Sequence, residues 1–84
     1  MAKKKIELTP EINVDAVLEA MATKYAGEEV DTTDGVKIYI GKEWVHLRKS
    51  NTEPIIRIYA ESASLTTAEN LTKKILQDIG DIIE

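Results

Sequence analysis

The residue types best suited to chemistry lie together in residues 48–57. Two arginines, Arg48 and Arg57, bracket three consecutive small polar residues, Ser50, Asn51 and Thr52. A guanidinium group presents a planar set of N–H donors that matches the edge of a phosphate or carboxylate. Hydroxyl and amide side chains add donors, and backbone N–H groups in a tight turn can form a concave anion site. The segment therefore predicts an oxyanion site, with phosphate as the best fit; the alternative is a solvated hairpin loop whose polar side chains bond to their own backbone.

The rest of the sequence contains no recognisable catalytic or metal-binding motif. His46 is the only histidine and there is no cysteine, which excludes a disulfide framework, thiolate chemistry and the usual zinc ligand sets. Ser50 has no base within a recognisable motif, and neither a Walker loop nor a dinucleotide fingerprint is present. We therefore expect no catalytic residue, no metal and no cofactor in this chain. His46 is expected to lie on an open sheet face between Trp44 and Arg48.

Length and composition predict one globular domain. The chain has 84 residues, of which 43% are apolar and 31% charged. No apolar run approaches the roughly 20 residues of a membrane span, and no apolar segment of a secretory signal follows the first five residues. We expect a cytoplasmic protein without a membrane partner.

The charge distribution argues for one focused anion site. The net charge of −4 is unfavourable for a general nucleic-acid-binding protein, which needs a surplus of basic residues. Residues 42–57 are nevertheless locally basic, with Lys42, Arg48, Lys49 and Arg57 against Glu43 and Glu53. We therefore expect no nucleic-acid partner.

Apolar spacing predicts two helices. Asn13 is expected to cap the first, which should end at Gly27 in a left-handed conformation. Thr66, with Glu69 three residues later, predicts the start of the second. The acidic residues 78–84 are expected on its solvated side. The predicted apolar stripes are Val14, Val17, Leu18, Met21 and Tyr25 in the first helix, and Ala68, Leu71, Ile75, Leu76, Ile79, Ile82 and Ile83 in the second.

Alternating residues predict antiparallel strands between the helices, with an Asp34-Gly35 turn before the first strict alternation. The inward-facing residues are expected to be Val36, Ile38, Ile40, Val45, Leu47, Ile56, Ile58 and Ala60. Arg48 and Arg57 are out of phase with their apolar neighbours, so both should project from the opposite, polar face. The predicted fold is a two-layer α+β domain, with an antiparallel sheet of about four strands and two helices on one face.

Two stretches resemble the C-terminal domain of the α-D-phosphohexomutases. They are Asp-Gly-Val-Lys-Ile at residues 34–38 and Trp-Val-His-Leu-Arg-Lys-Ser-Asn-Thr-Glu-Pro-Ile-Ile-Arg-Ile-Tyr-Ala-Glu at residues 44–61. The core pattern, Arg-x-Ser-(Asn or Gly)-Thr-Glu-Pro, is specific when it follows a strand entered by an Asp-Gly turn and precedes an amphipathic helix. The resemblance covers most of the chain.

The resemblance implies a TATA-box-binding-protein-like fold and a role in binding substrate phosphate. Residues 1–10 would be an interdomain linker or edge segment, and residues 11–84 the C-terminal domain of an enzyme that interconverts hexose 1-phosphate and hexose 6-phosphate. An active-site phosphoserine and Mg²⁺, both on preceding domains, would carry the chemistry, so the isolated domain would be inactive. The family's phosphate-binding positions correspond to Arg48, Ser50, Asn51, Thr52 and Arg57, and its loop-shaping positions to Glu53 and Pro54.

The sequence leaves the substrate and two other classes of function open. Asn51 favours the phosphomannomutase/phosphoglucomutase type, and the alternative is a phosphoglucosamine mutase, where glycine is common at that position. A nucleic-acid-binding module is a further hypothesis because of the fold that the resemblance implies. A protein-interaction domain is another, with Trp44, Tyr39 and Tyr59 exposed on the open face.

Overall fold

Alternation of apolar and polar residues builds an antiparallel sheet whose apolar side is covered by two helices. The computed structural model describes residues 1–50 and 53–83, and within them it contains five strands in the order β1-β5-β4-β3-β2. The elements are β1 (Ala2–Glu7), α1 (Val14–Lys24), β2 (Glu29–Asp31), β3 (Val36–Ile40), β4 (Glu43–Lys49), β5 (Ile55–Glu61) and α2 (Leu65–Ile83). The predicted fold class is confirmed, with one strand more than the four expected.

The predicted register of the three central strands is confirmed by burial. The inward residues Ile38, Val45, Leu47, Ile56, Ile58 and Ala60 are completely buried, and Val36 is 4% exposed. They join one apolar cluster with Val17, Leu18 and Met21 of α1 and with Ile75 and Ile79 of α2. Burying a large aliphatic side chain contributes about 1.5–3 kcal/mol, so a one-residue slip of any central strand would be strongly unfavourable.

The additional strand, β1, forms one edge of the sheet. It pairs antiparallel with β5, from Ala2 opposite Ala60 to Glu7 opposite Ile55. This register places Lys3 opposite Tyr59 and Lys5 opposite Arg57, all on the side of the sheet away from the helices. The division of the chain at residue 10 remains a prediction.

The first helix begins as predicted but ends earlier. Asn13 Oδ1 accepts a hydrogen bond from the Ala16 N–H at 3.1 Å, as an N-cap should. The helix ends at Lys24, and Gly27 does not have a positive φ, so the predicted left-handed cap is wrong. The last carbonyls are satisfied instead by successive turns, in which Ala26 N–H donates to Thr23 O and Glu28 N–H donates to Tyr25 O.

The second helix begins at Leu65, directly after its cap residue Ser64, and not after the predicted cap, Thr66. Ser64 Oγ accepts from the Thr67 N–H, and Thr67 Oγ1 accepts in return from the Ser64 N–H, both at 3.2 Å. This is the reciprocal geometry of a capping box, with threonine in the place of the usual Glu or Gln. The prediction failed because it looked for Glu or Gln three residues after the cap. Thr67, three residues after Ser64, supplies the returning acceptor instead.

A polar contact joins the two helices at a position that the sequence predicted to be solvated. Asp78 is only 8% exposed and accepts a hydrogen bond from the Tyr25 hydroxyl. Lys24 Nζ lies 3.1 Å from the other carboxylate oxygen of Asp78. Burial, followed by the hydrogen bond to Asp78, raises the pKa of Tyr25 above its ordinary value of 10.0. Asp78 therefore belongs to the interface between α1 and α2.

Replacing Tyr25 with phenylalanine is expected to lower the free energy of unfolding by about 1–2 kcal/mol at neutral pH, because Asp78 loses a buried hydrogen bond. The raised pKa means that folding favours the neutral phenol. This contribution is fully present below pH 10.0 and is lost as the pH rises further. Urea unfolding between pH 7 and 11 should therefore show a steeper alkaline loss for the wild type than for Tyr25→Phe. Tyr39→Phe, on the open face, is the control; equal stability of wild type and Tyr25→Phe at every pH would contradict the prediction.

Candidate anion-binding site

The connection between β4 and β5 is closed by backbone hydrogen bonds. Ser50 N–H donates to Ile55 O at 3.1 Å, and Ile55 N–H donates to Glu53 O at 2.8 Å. The second bond spans three residues and forms a γ-turn centred on Pro54, whose fixed φ suits the inverse form of that turn. Asn51 and Thr52, two of the predicted phosphate-binding residues, lie outside the described residues.

The end of β1 holds the base of this connection from the other side. Leu8 N–H donates to Pro54 O at 2.7 Å, and the Leu8 side chain is buried in the core. The side of the connection that contains Pro54 is therefore tied to two strands, β1 and β5. This gives a physical basis for the predicted loop-shaping role of Pro54, while Glu53 is exposed and contributes a backbone carbonyl.

The two arginines lie side by side on the open face. Arg48 and Arg57 are direct register partners across β4 and β5, and both are exposed, which confirms the parity argument. Like charges directly opposite each other on a sheet are destabilising. Arg48 Nη2 has one compensating contact, at 3.4 Å from Asp34 Oδ2. Within the described part of the chain, Arg48 thus has a neighbouring carboxylate that offsets the repulsion, whereas Arg57 has none.

Asp34 is held beside Arg48 by an anchored turn between β2 and β3. His46 Nε2 lies 2.6 Å from Asp34 O, and since a carbonyl can only accept, the imidazole carries its proton on Nε2. The turn continues through Gly35 at a φ of 69°, where an added Cβ would lie 2.2 Å from Leu47 O. His46 therefore lies on the open face, as expected, and fixes the neighbouring turn.

The turn is also stabilised from its β2 side. Asp31 Oδ1 accepts from the Thr33 N–H at 2.9 Å, and this hydrogen bond holds the pKa of Asp31 below its ordinary range. The carboxylate thus favours its ionised form while it shapes the chain that leads to Asp34.

Lys49 connects the same region to α1. By strand alternation it lies on the helix side of the sheet, and its Nζ is 2.8 Å from Asp15 Oδ1 in the first turn of α1. A cleft of about 560 Å³ opens between Asp15, Asp34, Arg48 and Lys49. Each of its two cations is paired with a carboxylate, so an anion entering the cleft must compete with Asp34 or Asp15.

Arg57 borders a different depression from Arg48. A shallower groove of about 250 Å³ is lined by Lys3, Lys4, Lys5, Arg57 and Tyr59. The two arginines are therefore adjacent in register, yet one faces the β2–β3 turn and the other faces the edge strand.

The aromatic residues of the open face pack against a lysine. Lys37 Nζ lies 4.4 Å from the centroid of the Trp44 ring and 5.2 Å from that of Tyr39, within the range of cation–π attraction. This contact partly covers the Trp44 and Tyr39 rings, which were predicted to form an interaction surface with Tyr59.

Two negative findings concern the described residues 1–50 and 53–83. Their His, Asp and Glu side chains do not come together in any group of three that could hold a metal ion. In the same part of the chain, neither helix is long and apolar enough to cross a membrane.

Sequence reasoning missed the acidic partners of the loop cations. Asp34 was interpreted only as a turn residue, although it contacts Arg48 of β4, and the contact of Asp15 with Lys49 of the same strand was not predicted. It also missed that Lys3 and Lys5 lie beside Arg57. The alternation of β1 placed these lysines on one face, but only the pairing with β5 shows their neighbour.

Comparison with known proteins identifies the family of this chain. The family model described as phosphoglucomutase/phosphomannomutase, C-terminal domain, matches residues 3–77. A phosphoglucosamine/phosphogalactosamine mutase of Sulfurisphaera tokodaii is 41% identical over 78 residues, which are 89% of this chain and 17% of the relative. A phosphoglucomutase/phosphomannomutase of Thermococcus kodakarensis is 55% identical over 38 residues, 45% of this chain and 8% of the relative. A phosphomannomutase of Escherichia coli is 42% identical over 52 residues, and the match covers 61% of this chain and 11% of the relative.

The fold and the matched family model thus define a phosphohexomutase-type C-terminal domain. The chain belongs to the family of phosphoglucomutase/phosphomannomutase C-terminal domains. It spans 8–17% of the length of the three relatives.

Proposed function

We propose that this chain is the substrate-phosphate-binding domain of a phosphohexomutase, an enzyme that interconverts hexose 1-phosphate and hexose 6-phosphate. The observation that carries the proposal is the pairing of Arg48 with Arg57 beside a loop closed by the Ser50–Ile55 hydrogen bond. Two cations held together at the end of a sheet suit a ligand with two negative charges. Family membership supports the same role.

The proposed site contains Arg48, Ser50, Asn51, Thr52 and Arg57. Arg48 supplies a planar set of donors, and the three small polar residues supply hydroxyl, amide and backbone donors. Glu53 and Pro54 shape the loop through the γ-turn and the bond to Leu8.

This kind of site suits a substrate that must be bound in two orientations. A site that binds phosphate and ignores the sugar can hold either end of a hexose phosphate. Its binding energy, remote from the reacting group, positions the other end for phosphoryl transfer. We propose that a phosphoserine and Mg²⁺ on preceding domains of the same enzyme carry out that transfer, and that the 84-residue chain alone is inactive.

The hexose is the finer part of the proposal. Asn51 supports the phosphomannomutase/phosphoglucomutase type, and relatives with both of these names match parts of the chain. The relative from Sulfurisphaera tokodaii, matched over 89% of the chain, supports the amino-sugar alternative. Assaying the full-length parent with glucose, mannose and glucosamine 1-phosphates distinguishes the two, because the favoured substrate should have the largest kcat/KM.

We further propose a cytoplasmic location, with the substrate and the preceding domains as the partners and without a nucleic-acid or membrane partner. The net charge of −4 supports the exclusion of nucleic acid. A single-stranded oligonucleotide that bound the chain at low salt would contradict it.

The proposed phosphate site is tested by titrating the ¹⁵N-labelled chain with inorganic phosphate and with glucose 1-phosphate at constant ionic strength. Saturable shifts of the amides of residues 48–53 are expected with both ligands. Glucose alone is the matched control and should leave these signals unchanged. Unchanged signals at tens of millimolar phosphate would contradict a preformed site in this chain.

Replacing Asp34 with asparagine is expected to strengthen phosphate binding at the loop by about two- to fivefold at low salt, since it removes an exposed competing carboxylate. The dissociation constant from the titration of residues 48–53 is the measurement. Glu29→Gln, which removes an exposed carboxylate of β2, is the control. The gain should shrink in 0.5 M NaCl, because salt screens exposed charges. Weaker binding by Asp34→Asn would show instead that Asp34 orients Arg48 for the ligand.

A further inference from the structure

We propose that Lys3, Lys5 and Arg57, with the Tyr59 hydroxyl, form a second anion subsite that fills separately from the Arg48 loop. It lies in the groove between β1 and β5 and would take a small dianionic oxyanion of the phosphate class. Arg57 borders both sites, whereas Lys3 and Lys5 border the groove alone.

The register of β1 and β5 sets the geometry of this subsite. Lys3 is opposite Tyr59 and Lys5 is opposite Arg57, so the four side chains occupy the corners of one rectangle on the open face. Opposed Cβ atoms in an antiparallel pair are about 5 Å apart, and alternate residues along a strand are about 7 Å apart. Two flexible ammonium groups, one guanidinium and one phenol can therefore converge on a single tetrahedral ion.

Two of the three cations of this groove lack the acidic partners that the loop cations have. Lys3 and Arg57 form no ion pair with any other residue in the described part of the chain. Lys5 contacts Glu7 at 3.8 Å, but the two side chains are 57% and 74% exposed, so the attraction is weak. Arg48 and Lys49, in contrast, are each paired with a carboxylate. An anion that enters the groove thus competes with one exposed carboxylate at most, that of Glu7.

Like-charge repulsion supports the same conclusion. Arg57 has Lys5 on one side and Arg48 on the other, which places three cations in one row across β1, β5 and β4. Such a row is destabilising on an empty sheet face and becomes favourable when an anion lies above it. A single ion beside Arg48 cannot neutralise the row as far as Lys5, so a second ion at the β1 end is the better arrangement.

The experiment is a titration of the ¹⁵N-labelled chain with inorganic phosphate at pH 8, where the dianion dominates, with NaCl adjusted to hold the ionic strength constant. Two saturable sets of shifts with different dissociation constants are expected, one in residues 3–5 and 57–59 and the other in residues 48–53. Glucose 1-phosphate in a parallel titration shows whether the groove accepts a phosphoryl group that carries a sugar. If inorganic phosphate shifts the groove set and glucose 1-phosphate does not, the ligand of the groove is the free ion alone.

Variants separate the two sites. Replacing Lys3 and Lys5 together by glutamine should raise the dissociation constant of the groove set (residues 3–5 and 57–59) at least about fivefold and leave that of the loop set (residues 48–53) within twofold. Arg48→Ala should raise the dissociation constant of the loop set and leave that of the groove set within twofold. Lys73→Ala, an exposed lysine of α2, is the matched control and should change neither set.

Three results would overturn the proposal: shifts in residues 3–5 that never saturate, NaCl alone reproducing them, or Arg48→Ala removing both sets together. If the wild-type chain shows the groove set but no saturable shifts in residues 48–53, the proposed function is contradicted and the groove subsite stands. The amide spectrum of the variant with both Lys3→Gln and Lys5→Gln, recorded without ligand, checks that it is folded. Lys5→Glu provides an independent test, because it should abolish the shifts of the groove set.

Discussion

Replacing Gly35 with alanine is expected to lower the free energy of unfolding by about 3 kcal/mol. Gly35 has a φ of 69°, in the left-handed region that disfavours residues with a Cβ. An alanine Cβ would also lie 2.2 Å from the carbonyl oxygen of Leu47, a distance that real Cβ contacts essentially never reach. Leu47 belongs to the central strand β4 and its side chain is completely buried, so the turn must move and the strand cannot.

The displaced turn should also change the candidate site. Asp34 precedes Gly35, and its carbonyl is held by His46 while its carboxylate contacts Arg48. Movement at Gly35 therefore separates Asp34 from both partners. In amide spectra, the largest shifts caused by Gly35→Ala should lie in residues 33–36 and 46–48.

Gly41 provides the matched control for Gly35. It has a similar φ of 62°, but an added Cβ would meet nothing within 4 Å. Gly41→Ala should therefore cost only the backbone penalty of about 1–2 kcal/mol, and urea unfolding of both variants separates this penalty from the steric clash. Equal destabilisation by the two substitutions would show that the contact with Leu47 contributes nothing.

Replacing Arg48 with alanine is expected to weaken phosphate binding at the loop by about 10- to 100-fold, since charge-assisted hydrogen bonds contribute about 1.5–3 kcal/mol each. The free energy of unfolding should change by less than about 0.5 kcal/mol, because Arg48 is exposed and its loss removes repulsion as well as an ion pair. Arg48→Lys should give an intermediate affinity, since lysine keeps the charge but lacks the planar donor pair.

Lys42→Ala is the control for the change in net charge. Lys42 is an exposed cation in the β3–β4 turn, at the opposite end of β4 from the loop. The dissociation constants come from the phosphate titration of residues 48–53. A loss with Lys42→Ala as large as that with Arg48→Ala would mean that binding reflects overall charge, and a change of less than twofold with Arg48→Ala would exclude a direct role for this arginine.

Local patterns determined the secondary structure and the facing of its side chains. The alternation in β3, β4 and β5 placed the aliphatic residues inward and both arginines outward, because side chains in a strand alternate between the two faces. The loop motif also led to the correct family before any tertiary information was used. Helix ends were less predictable, since Ser64 and Thr66 are both acceptable caps and the choice depends on neighbouring bonds.

The tertiary structure decided which charged groups are neighbours. The sequence contained the candidate anion-binding residues and fixed their faces, but the pairing of Arg48 with Asp34, of Lys5 with Arg57 and of Asp78 with Tyr25 joins residues far apart in the chain. Such contacts depend on strand order and helix packing, which short-range periodicity does not encode. The sequence by itself therefore determined the fold class and the residue types of the loop. The tertiary structure decided which cations of the described residues lie beside a carboxylate and which do not.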